Sequence, residues 1–336
     1  MIKIFITWLV LIGSACLRAA DPTELSFGII STESAVGLKQ GFDPFLEKIS
    51  AQLGIRIRGY YASDYTGVIE AMRFGKVHVA WMGNQAAMHA VDRAGAEIIA
   101  QTTSADGSSG YASVIIVHEK SSYRDIAALL ADAGKLSFGN GDPLSTTGNL
   151  VPSFYLWAPR GIDPRRAFKR VRSANHEVNA LAVVSGQVDC ATNNTDSLRR
   201  LGVKHPAAAA KIRVVWTSPD VATDPIVCRR DLSRELKTRL QAALLAFGRL
   251  GADAAEERAM LARVSDGWGP FLAADNRLLL PFRHFEVERD RLILQQDERL
   301  PAPEKEKRLT AVAARQRKLE KFETLETFWN RGKENP

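Results

Sequence analysis

Gly139-Asn-Gly-Asp-Pro-Leu-Ser-Thr-Thr-Gly148 is the stretch of sequence on which the interpretation of this chain depends. Lys135-Leu-Ser-Phe138 precedes it and is typical of a short strand, while Asn149-Leu-Val-Pro-Ser-Phe-Tyr-Leu-Trp157 follows with the apolar spacing of a helix. A helix is therefore expected to begin at Ser145-Thr-Thr147. The first N–H groups of a helix lack intrahelical partners and carry the positive end of its dipole, so a helix start favours an anion.

Two interpretations of the hydroxyl run are open from the stretch itself. The three hydroxyls of Ser145, Thr146 and Thr147 add donors without adding charge, which suits a phosphate or phosphonate. Alternatively, one of them only caps the helix and the other two are solvated. Taken alone, the stretch favours the cap.

Length and composition exclude several classes of protein. A chain of 336 residues exceeds what one compact core usually holds, so two lobes or domains are expected. Hydrophobic content of 46% and charged content of 25% are ordinary for a globular protein. The net charge is +7, but the basic residues are scattered among acidic ones, and no Arg/Lys run is interleaved with aromatics. This pattern argues against nucleic acid binding. The positive field would only speed the arrival of an anionic ligand.

The first twenty residues are typical of a secretory signal peptide. They combine a short basic start, an apolar run too short to span a bilayer and a close of small residues, so we expect cleavage near Ala19 or Ala20 and an exported protein. Lipid attachment at Cys16 ranks second, because the usual leucine three positions earlier is absent. After cleavage of the signal peptide, Cys190 and Cys228 would remain, either as a disulfide or as small buried hydrophobic residues.

The order of the predicted elements indicates a parallel α/β fold. Strand, helix and strand patterns alternate from residue 25 onward, and small polar residues at 104–110 mark a crossing to a second α/β unit. The chain returns to the first α/β unit near Asp224. The predicted organisation is a two-lobed α/β protein with the following limits: signal peptide 1–20, lobe 1 from 21–109 and 225–302, lobe 2 from 110–224, and a charged helical segment 303–336.

The closing segment has apolar residues at helical spacing within a densely charged sequence. Most such helices are solvated on one face and packed on the parent domain by the other. A homodimer formed through this helix is the alternative.

Enzyme motifs are missing from the sequence. There is no Gly-x-Ser-x-Gly elbow, no His-Glu-x-x-His and no run of His and Cys at zinc spacing, and Gly139-Asn-Gly141 lacks the third glycine of a dinucleotide loop. Ser145, His176 and an aspartate could form a hydrolytic triad on paper, as in almost any chain of this size. We therefore predict a protein that is not an enzyme and that has neither a cofactor nor a metal.

Several phrases together resemble the phosphonate-binding periplasmic proteins of ABC importers, over roughly residues 27–250. The family is two-lobed, with the ligand in the cleft between the lobes, so the resemblance implies the same type II-like periplasmic binding fold here. The phrases that carry it are Ser63-Asp-Tyr-Thr-Gly67, Met72-Arg-Phe-Gly-Lys-Val-His-Val-Ala-Trp-Met-Gly-Asn84, Ala105-Asp-Gly-Ser-Ser-Gly-Tyr-Ala-Ser113, Asp142-Pro-Leu-Ser-Thr-Thr-Gly148, Asn175-His-Glu-Val-Asn-Ala-Leu-Ala-Val183, Thr192-Asn-Asn-Thr-Asp196 and Asp224-Pro-Ile-Val227.

The resemblance assigns roles at both ends of a ligand. Ser145, Thr146, Thr147, Tyr65 and His176 would hold the phosphonate, since a desolvated dianion needs several converging donors. A core tyrosine and a satisfied core histidine are the structural alternatives for Tyr65 and His176.

The amine end would be held by Tyr111, Asp196 and Asp224, because two buried carboxylates are tolerable with a cation between them. Asp196 could instead cap a helix, and Asp224 could be a turn residue before Pro225. Asp196 departs from one member of the family, which has glutamate there, so 2-aminoethylphosphonate is the leading ligand and others stay open.

The implied function is an exported solute-binding subunit that delivers a phosphonate to a membrane permease and its ATPase. Localisation in the periplasm follows from the same resemblance. A binding protein for phosphite, phosphate or another alkylphosphonate is the alternative within this class. A ligand-sensing subunit for a membrane kinase is the alternative from another class.

Overall fold

The computed structural model describes residues 21–265 and 267–334. The predicted signal peptide and Cys16 lie outside the described residues. Strands over the described part of the chain are β1 Glu24–Ile29, β2 Arg56–Tyr61, β3 Val79–Trp81, β4 Ala96–Ser104, β5 Gly110–Tyr111, β6 Ser113–His118, β7 Ser137–Asn140, β8 Arg170–Ser173, β9 Cys190–Asn194, β10 Ile212–Thr217, β11 Val221–Ala222, β12 Pro225–Arg229 and β13 Trp268–Ala273.

The α-helices connect and cover these strands. They are α1 Ala35–Leu53, α2 Tyr65–Arg73, α3 Asn84–Arg93, α4 Ile126–Ala131, α5 Pro164–Ala167, α6 His176–Val184, α7 Thr195–Lys204, α8 Pro206–Ala209, α9 Arg234–Ala246, α10 Ala254–Leu261, α11 Leu280–Gln296 and α12 Ala302–Glu334. Two π-helical segments, Thr146–Leu150 and Ser153–Trp157, and the 3₁₀ turns Ala133–Lys135, Ala158–Arg160 and Asn276–Leu279 complete the helical structure.

The first lobe is built on a six-stranded sheet in the order β13-β4-β12-β3-β1-β2. β1 runs parallel to β2 and β3, whereas β12 and β13 are antiparallel to β4. Its core includes a group of packed aromatic rings, in which Phe42 stacks on Trp81 with centroids 5.5 Å apart. Trp268 meets both rings edge-on. Aromatic pairs in these geometries add stability beyond the burial of their area.

The second lobe is built on a five-stranded sheet in the order β10-β6-β9-β7-β8. Its core is separate from that of the first lobe and holds Phe138 stacked on Phe168 with ring centroids 4.6 Å apart. A short antiparallel ladder between β5 and β11 lies where the chain crosses between the sheets. The predicted two-lobed α/β fold class is confirmed. We propose the domain limits given above, because they follow the division of these strands between the two large sheets.

Two elements differ from the sequence prediction. The apolar spacing of the sequence predicts a helix from Phe42 to Leu53, but helix α1 starts at Ala35 behind the cap Ser34. Glycine lowers helix propensity, which hid this first part of the helix. Gly41 is required because a Cβ there would lie only 2.8 Å from the Arg263 carbonyl oxygen. Phe168-Lys-Arg-Val171 is typical of a strand, but strand β8 begins only at Arg170, because helix α5 ends at Ala167.

The C-terminal helix α12 packs on α11 of the same chain, which agrees with the prediction that this segment packs on its parent domain. Arg315 contacts Glu286 at 2.8 Å and Asp290 at 2.9 Å, and His284 Nε2 lies 2.8 Å from Glu323 Oε1. Self-association through α12 stays a prediction. No helix of the described residues is long and apolar enough to cross a membrane.

Candidate anion site between the lobes

The hydroxyl run starts a helical segment, as the sequence predicted, and its turn is π-helical. Ser145 is its cap, and the Ser145 Oγ accepts a hydrogen bond from the Gly148 N–H at 2.9 Å. Thr146 and Thr147 are each only 1% exposed. The simpler interpretation is therefore right that one hydroxyl caps the helix, but wrong that the other two are solvated.

Thr146 and Thr147 contact residues from different lobes. The Gln85 N–H, at the start of α3 in the first lobe, donates to Thr146 Oγ1 at 3.0 Å. Asn194 Nδ2, at the end of β9 in the second lobe, donates to Thr147 Oγ1 at 3.1 Å. Helix α3 has no side-chain cap because its N-cap is Gly83. The starts of two helical segments therefore meet at Thr146, and both carry partial positive charge.

His176 joins the hydroxyl run from the start of α6, behind the cap Asn175. Its Nε2 lies 3.3 Å from Ser145 Oγ and 3.3 Å from Asn194 Nδ2. Since an amide nitrogen can only donate, Nε2 is the acceptor in this arrangement. The Ser145–His176 pair of the triad considered above is thus in contact, and the imidazole belongs to the same buried polar cluster as the hydroxyls.

Tyr65 is the first residue of α2 and is buried in the first core, as the structural alternative predicted. It nevertheless lies at the lobe boundary, because its N–H donates to Asp142 Oδ2 of the second lobe at 3.4 Å. Burial raises the pKa of the Asp142 carboxyl above its usual range.

Tyr111 and Asp224 form the other end of the candidate site. The Tyr111 hydroxyl donates to Asp224 Oδ1 at 3.0 Å. Burial raises the pKa of the Tyr111 phenol, and Asp224 adds to the effect, followed by the weaker charges of Asp196 and Tyr65. Asp224, Asp196 and Tyr65 therefore each lie within electrostatic range of the Tyr111 hydroxyl.

Asp196 has a cation beside it already. Arg199 NH2 lies 2.9 Å from Asp196 Oδ1 within α7. The cap of this helix is Asn194, whose side chain accepts from the Ser197 N–H at 2.6 Å, so the interpretation of Asp196 as a helix cap is wrong.

Sequence reasoning missed Gln85 and Asn194, which hold the two threonines. Asn194 stands inside a quoted phrase, directly after an apolar strand, and polar residues at the carboxyl ends of strands are a known signal for a site. Gln85 acts through its backbone N–H, which its side-chain type does not reveal.

The fold is that of a two-lobed binding protein, and the candidate anion site lies at the lobe boundary. The family model for the periplasmic phosphonate substrate-binding proteins of ABC transporters matches residues 27–279. The chain belongs to this family.

Individual relatives agree with this assignment. The chain is 45% identical over 263 residues to the phosphonates-binding periplasmic protein of Escherichia coli, covering 78% of this chain and 76% of that one. It matches the crystal structure of a binding protein component of an ABC phosphonate transporter from Pseudomonas aeruginosa with a TM-score of 0.86 and 43% identity, over 92% of this chain and 100% of that one. A methylphosphonate complex from Prochlorococcus marinus, 19% identical, shares the fold with a TM-score of 0.68, over 79% of this chain and 97% of that one.

Proposed function

We propose that this protein is the exported solute-binding subunit of an ABC importer and that its leading ligand is 2-aminoethylphosphonate. The observation that carries the proposal is the buried polar cluster of Ser145, Thr146, Thr147 and His176 opposite the Tyr111–Asp224 pair. The family and its relatives support the phosphonate part. The proposal that the ligand carries an amine rests on the carboxylates of Asp196 and Asp224.

The anionic end binds by neutral donors. Three hydroxyls can rotate their hydrogens toward phosphonate oxygens, and the helix starts at Thr146 and Asn84 add partial positive charge. Tyr65 and His176 complete the phosphonate end of the proposed site from opposite lobes. Neutral donors hold a dianion firmly yet allow its release, which a carrier requires.

The cationic end is an ammonium held by Asp224, with Asp196 and Tyr111 nearby. An ammonium beside Asp224 forms a charge-assisted hydrogen bond in a buried setting. Binding at both ends bridges the lobes and stabilises the closed form, which the membrane permease and its ATPase then engage. The ligand shifts this equilibrium only by its preference for the closed form.

One observation favours a second candidate. Arg199 already pairs with Asp196 at 2.9 Å, so the acid pair could be structural. The ligand would then be phosphite, phosphate or a simple alkylphosphonate.

Calorimetry with four ligands separates the two candidates. For 2-aminoethylphosphonate against ethylphosphonate we expect at least about tenfold tighter binding, or about 1.4 kcal/mol. Equal affinity for these two ligands, or preference for phosphite or phosphate, would select the second candidate. Failure of all four ligands to bind would overturn the function, and turnover of a phosphonate ester that Ser145→Ala abolishes would instead reveal an enzyme.

Two further experiments test the proposed signal peptide and the proposed homodimer. Secretion of the full chain, with an N-terminus starting near Asp21, would support the signal peptide, and retention in the cytoplasm would contradict it. Light scattering of the protein with and without residues 302–336 tests the homodimer through α12. A dimeric mass that falls to that of a monomer on truncation supports it, and a monomer in both cases contradicts it.

A further inference from the structure

Pro152 interrupts the hydrogen bonds of the helical segment that starts at the hydroxyl run. The first turn is π-helical, and the Val151 N–H donates to the Thr146 carbonyl, five residues earlier. In this register the Thr147 carbonyl would accept from residue 152, but residue 152 is a proline and has no N–H. The helix therefore provides no donor for this carbonyl, and buried carbonyls in proteins nearly always have one.

Ser113 supplies the missing donor from a neighbouring strand. It is fully buried, and its Oγ donates to the Thr147 carbonyl oxygen at 2.6 Å. Ser113 is the first residue of β6 and lies opposite Asn194 of β9 in the antiparallel ladder. Asn194 Nδ2 donates to Thr147 Oγ1 at 3.1 Å, so two paired strand residues hold the carbonyl and the hydroxyl of one threonine. The sheet thus fixes Thr147 where the helix does not.

The bond from Ser113 orients a second hydroxyl of the site. The Thr147 carbonyl and the Gly148 N–H belong to one planar peptide unit. The Gly148 N–H donates to Ser145 Oγ at 2.9 Å, so this unit is held at both ends. Ser145 Oγ lies in turn 3.3 Å from His176 Nε2. A tilt of the peptide unit would therefore displace donors of the phosphonate end.

Ser113 also bonds the segment that returns toward the first lobe. Its N–H donates to Ser218 Oγ at 3.0 Å, and the Ser218 N–H donates back to the Ser113 carbonyl at 2.9 Å. Ser218 lies between β10 and β11, on the stretch that leads to Asp224. Ser113 therefore connects the anion-binding turn to the return crossing between the lobes.

We propose that Ser113 is a positioning residue for the anion site. Its hydroxyl provides the donor that Pro152 cannot provide, and so fixes the turn that carries Ser145, Thr146 and Thr147. Ser113 acts through these residues and not through a contact with the ligand. This inference rests on the proposed function.

The test compares Ser113→Ala, Pro152→Ala and the double variant with the intact unmodified protein. Ser50→Ala is the matched control, because Ser50 Oγ also donates to a carbonyl, that of Leu46 at 2.5 Å, but within α1 of the first lobe. Ser113→Cys fills the same buried space with a weak donor and is the second variant if Ser113→Ala does not fold. Binding of 2-aminoethylphosphonate and methylphosphonate is measured by calorimetry, and thermal unfolding checks the fold.

We expect Ser113→Ala to weaken both ligands at least about tenfold, because both present a phosphonate to the displaced turn. Pro152→Ala alone should bind as the unmodified protein does. It restores an N–H where the π-helical register needs one, so the double variant should bind within about threefold of Pro152→Ala. A serine with a merely structural role, such as Ser50, should lower the unfolding temperature on replacement and leave both Kd values unchanged.

Unchanged Kd values in Ser113→Ala, or a loss that Pro152→Ala does not relieve, would overturn the role of Ser113 alone. For Ser113→Cys we expect a loss of about threefold to tenfold, and unchanged binding would overturn that role equally. If the unmodified protein bound neither ligand, the proposed function itself would fail.

Discussion

Glu33 Oε2 lies 2.6 Å from Lys204 Nζ, and this ion pair joins the two lobes away from the candidate site. Glu33 follows β1 in the first lobe, and Lys204 ends α7 in the second. Arg200 Nε lies 3.5 Å from the same carboxylate oxygen, and Glu33 is only 3% exposed. The next residue adds a second link, because the Ser34 N–H donates to Glu177 Oε2 of α6 at 2.9 Å. All of these contacts cross from the first lobe to the second.

Glu33→Gln should therefore weaken ligand binding without touching the ligand. A neutral amide leaves Lys204 and the buried Arg200 without their shared counter-charge, and breaking a buried pair is strongly unfavourable. The closed form becomes less populated, and apparent affinity falls with that fraction. We expect Kd for 2-aminoethylphosphonate to rise about tenfold, which calorimetry would detect.

A variant at an exposed ion pair provides the control for this prediction. Glu304→Gln removes a pair with Arg308 that lies within α12, so its Kd should match that of the unmodified protein. X-ray scattering of the unliganded Glu33→Gln protein should show a larger radius of gyration. An unchanged Kd together with an unchanged radius would show that the Glu33 cluster does not govern closure.

Asn194→Asp should abolish phosphonate binding while the fold survives. Aspartate can still accept from the Ser197 N–H and cap α7, since the two residues are equivalent caps. It cannot donate to Thr147 or His176, and it adds a negative charge beside the anion. We expect at least about a hundredfold loss of affinity for 2-aminoethylphosphonate and methylphosphonate alike. Retained binding of either ligand at an unchanged unfolding temperature would contradict this role.

The sequence predicted local features of the site better than contacts between lobes. The strand before Gly139 and the helical start at Ser145 follow from apolar spacing and hydroxyl chemistry, both of which act over a few residues. The hydrogen bond from Gln85 to Thr146 spans 61 positions and depends on how the lobes meet. The ion pair of Asp196 with Arg199 is also local, because residues three apart on a helix are neighbours on its surface.

The free energy of unfolding should fall as pH drops below about 6.5, partly because of His78. Its Nδ1 accepts from the Ser26 N–H at 3.0 Å, and burial, with a smaller effect of Arg229, lowers its pKa below the usual 6.5. The unfolded chain therefore binds a proton that the folded chain resists, so stability is full above pH 6.5 and declines toward the lower folded pKa.

His78→Gln retains an acceptor for Ser26 but cannot take up a proton. Between about pH 7.5 and pH 5, its free energy of unfolding, measured with urea, should decrease less than that of the unmodified protein. His89, whose pKa burial also lowers, should account for part of the remaining slope. Identical slopes with and without His78 would rule out this contribution.

Cys190 and Cys228 should behave as buried thiols and not as a disulfide. They lie in β9 and β12, in different lobes, and both are free. Burial raises the pKa of both thiols, that of Cys228 to about 12, which suppresses the reactive thiolate. Iodoacetamide should label neither peptide in the native protein and both in urea, as read by mass spectrometry. Labelling of native protein, or an unfolding temperature that drops with reductant, would be inconsistent with this arrangement.

Asp224 and Asp196 should contribute unequally to binding the amine. Asp224→Asn keeps an oxygen for the Tyr111 hydroxyl but removes the charge that faces the ammonium, and hydrogen bonds to charged groups contribute about 1.5–3 kcal/mol. We expect its Kd for 2-aminoethylphosphonate to rise by about tenfold to a hundredfold, while ethylphosphonate binds no less tightly than before. Asp196→Asn should cost less, because Arg199 already neutralises that carboxylate.

The same pair of variants can also contradict the assignment. Removing a carboxylate from a site that binds a simple dianion should strengthen binding, because it removes a repulsive charge. If Asp224→Asn bound ethylphosphonate and 2-aminoethylphosphonate equally tightly, and both more tightly than the unmodified protein does, Asp224 would be a structural partner of Tyr111. A larger loss for Asp196→Asn than for Asp224→Asn would instead mean that the ammonium displaces Arg199, so that Asp196 is its principal contact.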